Sequence, residues 1–192
     1  EQIMARQVNA VDFWRGFALV TIFINHIPGI VYERLTFRNF SVADSAELFV
    51  FLAGWSLRHV VGRPEDPTPF HQLVLRLGGR AITIYGAHLT IVMLAIAMLA
   101  AASQLLDNPL LLEWHNAAAV FQSPVQTHIG LALLSHQLGY FDILPLYVVL
   151  MLAAPGIALL HRAAPHLLLP VSLTIYFSAL VFKITVPTWP TE

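Results

Sequence analysis

The 192-residue sequence contains no cysteine, and charged residues make up only 11% of it. Without thiols the chain forms no disulfide, no thiolate metal site and no cysteine nucleophile. A water-soluble globule carries about 25% charged residues, so this deficit excludes an ordinary polar surface around an apolar core. The 10 Lys and Arg balance 11 Asp and Glu, a formal net charge of −1. That balance supplies no basic face for a nucleic acid. Internal repeats, low-complexity linkers and a soluble domain are also missing. What is present is apolar: 57% of the residues are hydrophobic. These proportions belong to an integral membrane protein.

About 20 mostly apolar residues cross a bilayer as a helix. Five windows qualify, at roughly 13–31, 45–62, 80–102, 138–160 and 167–184, which predicts an all-α, polytopic transmembrane helical bundle. Pro28-Gly29 bends or ends the first span, and Pro155-Gly156 marks a kink in the fourth. A short turn, HRAAPH, joins the fourth span to the fifth. The chain starts at Glu1-Gln2 and stops at WPTE just past an apolar run, and it reads as a piece of a longer protein.

Basic residues collect on the cytoplasmic side of membrane proteins. With the N-terminus inside, Arg6, Arg58, Arg63, Arg76, Arg80 and Arg162 share that side, against Arg34, Arg38 and Lys183 outside. The 103–137 segment has no Lys or Arg and then lies outside. Its LLEWHNAAAVF run reads either as an interfacial helix or as a loop over the spans.

Ionisable residues inside these spans are the informative exceptions. A helix advances about 100° and 1.5 Å per residue. Arg15 and His26, eleven apart, therefore share a face about 16 Å apart in depth. Asp12 and Leu19 fall on the same stripe, giving the first span one polar seam that belongs in the bundle interior. Glu47 and Arg58 repeat the eleven-residue spacing in the second span, with Phe51 and Gly54 between them. His26, Glu47 and Asp142 lie at similar depths near the outer ends of three spans. Each has a plainer reading beside the functional one. Glu47 and Asp142 snorkel to the interface, Arg15 anchors the span, or His26 is a neutral core imidazole bonded to a carbonyl. His88 reads as structural or pore-lining. His115, His128 and His136 lack metal-ligand spacing, so no metal is assigned.

The stretches VDFWRGFALVTIFINHIPG, RNFSVADSAELFVFLAGWS, RLGGRAITIY and ILPLYVVLMLAAP resemble the OpgC family, inner-membrane succinyltransferases acting on osmoregulated periplasmic glucans. The first two also resemble the wider superfamily of integral-membrane O-acyltransferases. Arg15 to His26 matches its arginine, ten residues, histidine spacing, and FVFLAG, Phe49 to Gly54, matches its second-span signature with Ala53 in place of the usual Ser. The resemblance implies about ten spans in the whole protein, with residues 1–192 the N-terminal half of one transmembrane acyltransferase domain. It also implies a bacterial inner-membrane location and an acyl-CoA donor, succinyl-CoA or acetyl-CoA, reached from the cytoplasm.

Acyl transfer to a sugar hydroxyl requires a base, stabilisation of the oxyanion and a grip on the donor. His26 suits the base, with Glu47 or Asp142 orienting its other ring nitrogen. Arg15, Arg58, Arg76 and Arg80 suit the donor phosphates, although the positive-inside pattern accounts equally well for Arg76 and Arg80. With no Ser in a nucleophile elbow and no Cys, direct attack by the acceptor is expected instead of an acyl-enzyme. The reading from another class is a secondary transporter or proton-coupled carrier, which also carries ionisable groups on interior faces.

Overall fold

The computed structural model describes residues 10–27, 31–32, 36, 45–63, 66–184 and 188–190. The chain divides into two compact units, one up to Pro69 and one from Phe70 onward. Every long element in both is an α-helix, which satisfies each backbone polar group within its own segment, as an apolar solvent demands.

In the first unit α1 (Ala10–Asn25) packs against α2 (Ser45–Val61). These helices have 16 and 17 residues, about 24–26 Å at 1.5 Å per residue. Both are shorter than the spans expected at 13–31 and 45–62. The first helix begins earlier, at Ala10, and stops at Asn25, where His26 and Ile27 close 3-10-type turns onto Phe23 and Ile24. Pro28 and Gly29, expected to bend or end this span, lie outside the described residues. At the far end of α2, Gly62 adopts φ 88°, a left-handed conformation that glycine enters without steric cost. There the chain reverses into a two-residue antiparallel pair, β1 (Gly62–Arg63) with β2 (Asp66–Pro67). The Thr68 hydroxyl donates to the Val60 carbonyl at 3.0 Å and closes that turn.

The second unit is built on α3 (Phe70–Leu105), 36 residues long. The third span was expected at 80–102, and the helix starts ten residues sooner. The reason is readable in the sequence. Leu73, Leu77 and Ala81 continue the four-residue spacing backwards, all three are buried, and Gly78 and Gly79 pass without breaking the helix. A 3-10 helix (Pro109–Asn116), α4 (Ala118–Gln122) and α5 (Pro124–Ala132) follow. The 103–137 segment is thus neither one interfacial helix nor a plain loop. It folds back on α3, and Ala117, Val120, Leu131 and Leu138 bury against Val92, with Ala95, Ile96, Leu99 and Phe141 at the edge.

The chain then enters α6 (Ile143–Ala163), which packs along α3 through Tyr147, Val148, Met151, Ala154 and Ala158. That spacing is one helical stripe. Pro155 lies inside α6, and the helix continues through it. A 3-10 turn (Pro165–Leu167) leads to α7 (Leu168–Phe182), none of whose residues is buried. A helix apolar on every side and covered on none is solvated by hydrocarbon.

Among the described residues three helical stretches are long and apolar enough to cross a membrane: Phe70–Leu105, Ile143–Ala163 and Pro165–Phe182. Hydroxyls within the helices bond backward, Thr21 to Ala18 (2.9 Å), Ser56 to Leu52 (2.8 Å), Thr90 to Gly86 (2.9 Å) and Thr174 to Pro170 (2.8 Å). Each thereby enters an apolar medium without an orphaned donor.

Candidate functional site

The motif arginine and histidine both lie on α1 or at its end. Ala18 and Thr21 are the buried positions of this helix, and Asp12, Arg15 and His26 are half-buried around them. The packed seam therefore runs 15, 18, 21–22, 26. Leu19, expected on it, is 47% exposed. Eleven residues make about 1100°, three turns plus 20°, and the seam drifts to the side away from Leu19.

The Arg15 guanidinium carbon stands 5.8 Å from the centre of the Phe49 ring on α2. Phe49 is itself buried, and the contact has cation–π geometry. Phe49 opens the FVFLAG stretch, so the two matched motifs meet directly. The contact also brings the early turns of α1 and α2 within one side chain's reach.

His26 sits one residue past α1. Its Nδ1 lies 2.5 Å from the Ile22 carbonyl oxygen. A carbonyl only accepts, so Nδ1 carries the proton and the basic lone pair is on Nε2. The ring is thus held at Nδ1 by the backbone, four residues back on the same chain. Local geometry explains it: with the helix ended, the i−4 carbonyl needs a donor, and the imidazole is within reach.

Among the described residues of α2 the buried positions are Ser45, Phe49, Leu52, Ala53 and, at its last residue, Val61. Glu47, Gly54 and Arg58 are exposed, and Phe51 is 63% exposed. The eleven-residue stripe expected to form an inward seam is a single face, but it is the face turned away from the buried one. Shared spacing fixes that residues lie together; it does not say which side is covered.

Within the second unit, Arg76 and Arg80 are exposed and one turn apart on α3, flanking buried Leu77. Asp142 is exposed at the N-cap position of α6, where its side chain makes no capping bond and its carbonyl accepts from Leu146 N at 3.1 Å. His26 and Glu47 belong to the first unit and Asp142 to the second. Among the described residues no three His, Asp or Glu side chains gather as a metal-holding group.

The sequence reading assigned little to the α3 stripe Tyr85, His88, Val92. Tyr85 donates its hydroxyl to the Ala132 carbonyl at 2.6 Å. His88 is 0% exposed and lies near the Gln137 side chain; among the described residues neither of its ring nitrogens, nor the buried Oε1 of Gln137, has a hydrogen-bond partner within 3.5 Å. His136 is buried in the connecting turn, and burial pushes its imidazole below the usual value, partly offset by a hydrogen bond to the Asn116 backbone. Nearby, Trp189 N donates to the Ser135 carbonyl (3.2 Å) and Ser135 Oγ donates to the Trp189 carbonyl (3.2 Å). The signal for Tyr85 and His88 was their helical spacing, three residues apart and then four to Val92; what lay opposite them was not legible.

Fold and motif together define a helical membrane protein with the motif arginine on its first helix and the motif histidine just past that helix's end. A family model described as OpgC protein matches residues 6–192, and the chain belongs to that family. No curated protein and no solved structure matches it.

Proposed function

We propose that this chain is the part of an integral membrane O-acyltransferase that carries the general base, moving an acyl group, succinyl in the family's pattern, from acyl-CoA to hydroxyls of a periplasmic glucan. The observation that supports the reading is His26, whose Nδ1–H faces the Ile22 carbonyl, a contact that orients the ring and makes Nε2 the acceptor nitrogen of that tautomer. A base is most effective when its other nitrogen is held and its tautomer set. Nε2 removes the proton of the acceptor hydroxyl as its oxygen attacks the thioester carbonyl carbon. The tetrahedral oxyanion collapses by breaking the carbon–sulfur bond. The departing thiolate takes the proton from the imidazolium, leaving ester, free CoA thiol and neutral His26.

Arg15, Arg58, Arg76 and Arg80 are assigned to the donor phosphates. Glu47 and Asp142 remain candidates for contacts to acceptor or imidazole, with the orienting role at Nδ1 already taken. The location is the bacterial inner membrane with the N-terminus cytoplasmic. A transporter with the same interior ionisable groups should also show broken helices; Pro155-Gly156 was the one candidate break, and α6 is continuous there.

Membranes containing the protein should transfer label from radioactive succinyl-CoA or acetyl-CoA to isolated glucan, and membranes without it should not. Glucan uptake or export without acyl transfer would replace the enzyme reading with the transporter.

A further inference from the structure

α3 is longer than a bilayer is thick, and that difference fixes which of its residues lie in hydrocarbon. Its 36 residues make about 54 Å of helix, against about 30 Å for the hydrocarbon core. Wherever along α3 that layer falls, the middle of the helix is inside it. His88 is at the midpoint, and Tyr85 is one turn before it.

The connection between α3 and α6 reaches this depth. Gln137 brings its side chain near His88, the Tyr85 hydroxyl donates to the Ala132 carbonyl at 2.6 Å, and Leu131 and Leu138 pack in one cluster with Val92. Tyr85 stands twenty residues back from the end of α3 at Leu105, about 30 Å along the helix. The chain that leaves α3 at Leu105 therefore descends beside it to the middle. Its composition suits that path. Residues 114–141 hold no Asp, Glu, Lys or Arg, and Glu113 and Asp142 stand at the two ends of the run.

Irregular backbone survives in hydrocarbon only where protein groups satisfy it. Ser135 N and His136 N both donate to the Gly130 carbonyl, at 2.9 and 3.1 Å. Gln137 Nε2 donates to the Leu134 carbonyl, Asn116 Nδ2 to the Gln137 carbonyl and Thr127 Oγ1 to the Ala119 carbonyl. Tyr85 takes the last carbonyl of α5, one of those a helix leaves without an internal donor.

The outer side of α5 is apolar. Thr127, Gly130 and Leu131 are its buried positions. Opposite them Val125 and Ile129, with Leu133 at the helix end, form an exposed stripe at four-residue spacing, and Gln126 and His128 sit on its flanks. A helix facing water has the reverse order, its polar residues outermost. At the same depth α3 exposes Ile82 and Ile91.

We propose that the 114–141 connection is a re-entrant membrane segment whose Val125, Ile129 and Leu133 stripe is solvated by lipid acyl chains. The partner is bilayer hydrocarbon, because an uncharged segment that reaches the α3 midpoint has passed below the headgroups. The inference is independent of the acyl-transfer reading.

Residues 1–192 contain no cysteine, so a single introduced thiol can carry a spin label. Val125→Cys, Ile129→Cys and Leu133→Cys are labelled in the intact protein, freed of any other cysteine and held in nanodiscs. Ile175→Cys on α7 and Asp107→Cys before the uncharged run serve as references. Labels at the three positions should collide with oxygen, which concentrates among acyl chains, and be shielded from a water-soluble nickel chelate, as at Ile175. Access to the chelate like that at Asp107 overturns the proposal. Shielding from both reagents also overturns it, since protein then covers the stripe. Should the labels disturb folding, the wild-type protein decides with a phospholipid carrying a photoactivatable diazirine at its acyl terminus. Adducts on residues 118–133 uphold the segment, and adducts confined to other helices overturn it.

Discussion

The Arg15 guanidinium stands 5.8 Å from the centre of the Phe49 ring, joining the first helix to the second through the two stretches that carry the family resemblance. A cation against a desolvated ring contributes about 0.5–2 kcal/mol. Phe49→Leu keeps the apolar volume and removes the π face. It should lower the thermal stability of the purified protein by a loss within that range. An unchanged melting curve would reduce the contact to simple proximity.

Arg15→Lys separates a donor role from a packing role. Lysine retains the positive charge and still reaches an aromatic face, but it lacks the planar fork. Insertion should be normal while the donor concentration needed for half-maximal transfer rises. A wild-type donor curve would leave Arg15 a packing role, as in its contact with Phe49.

His26→Ala should lower transfer by about 10²–10⁴-fold, the contribution of a positioned base. Protein level and topology should not change. His26→Gln can still reach the Ile22 carbonyl but offers no titratable nitrogen, so it should not restore activity. Retention of more than about a tenth of wild-type turnover lies outside the range for a base and would remove the assignment.

His136 predicts a pH dependence of stability. Its folded pKa is lowered from 6.5 because burial disfavours the imidazolium. The unfolded chain therefore binds the proton first as pH falls. The contribution is fully present above 6.5 and declines as pH drops below it toward the folded value. Thermal melts between pH 7.5 and 5 should show this decline, and His136→Gln should flatten it. Equal slopes for the two proteins would contradict the assignment.

Gly130 is required by contact. A Cβ there would come within 2.5 Å of the Trp189 carbonyl oxygen and 2.9 Å of His136 Cβ. Gly130→Ala should displace the Trp189–Pro190 segment or destabilise the unit by about 1–3 kcal/mol, the usual cost of overpacking. Trp189 fluorescence and a melting curve measure the two outcomes. If neither changes, the contact is not maintained.

Reporter fusions test the membrane orientation. A fusion after Asn108, beyond α3, should report outside, and one after Ala164, beyond α6, should report inside. The reverse pattern would invert the positions of donor and acceptor.

Much of this architecture was legible along the chain, because helix formation in an apolar solvent is decided locally. A run such as ILPLYVVLMLAAPGIALL must satisfy its own backbone, and only a helix does so within one segment. The arginine–histidine spacing was equally plain, since eleven residues return to one face whatever surrounds them. Helix ends were less legible. The apolar windows suggested 13–31 and 80–102, whereas the helices are Ala10–Asn25 and Phe70–Leu105.

Composition and short-range periodicity were enough for the membrane class and for the residues that share a helical face, while the motif stretches carried the resemblance to the family. Which face is covered was settled by tertiary packing. It turned Glu47 and Arg58 to the exposed side of α2, set Phe49 against Arg15, and buried His88 and His136 in the second unit. It also set the Nδ1 of His26 against the Ile22 carbonyl. Burial and pairing depend on groups brought near from elsewhere in the chain or freed by a helix end, and periodicity carries no information about them.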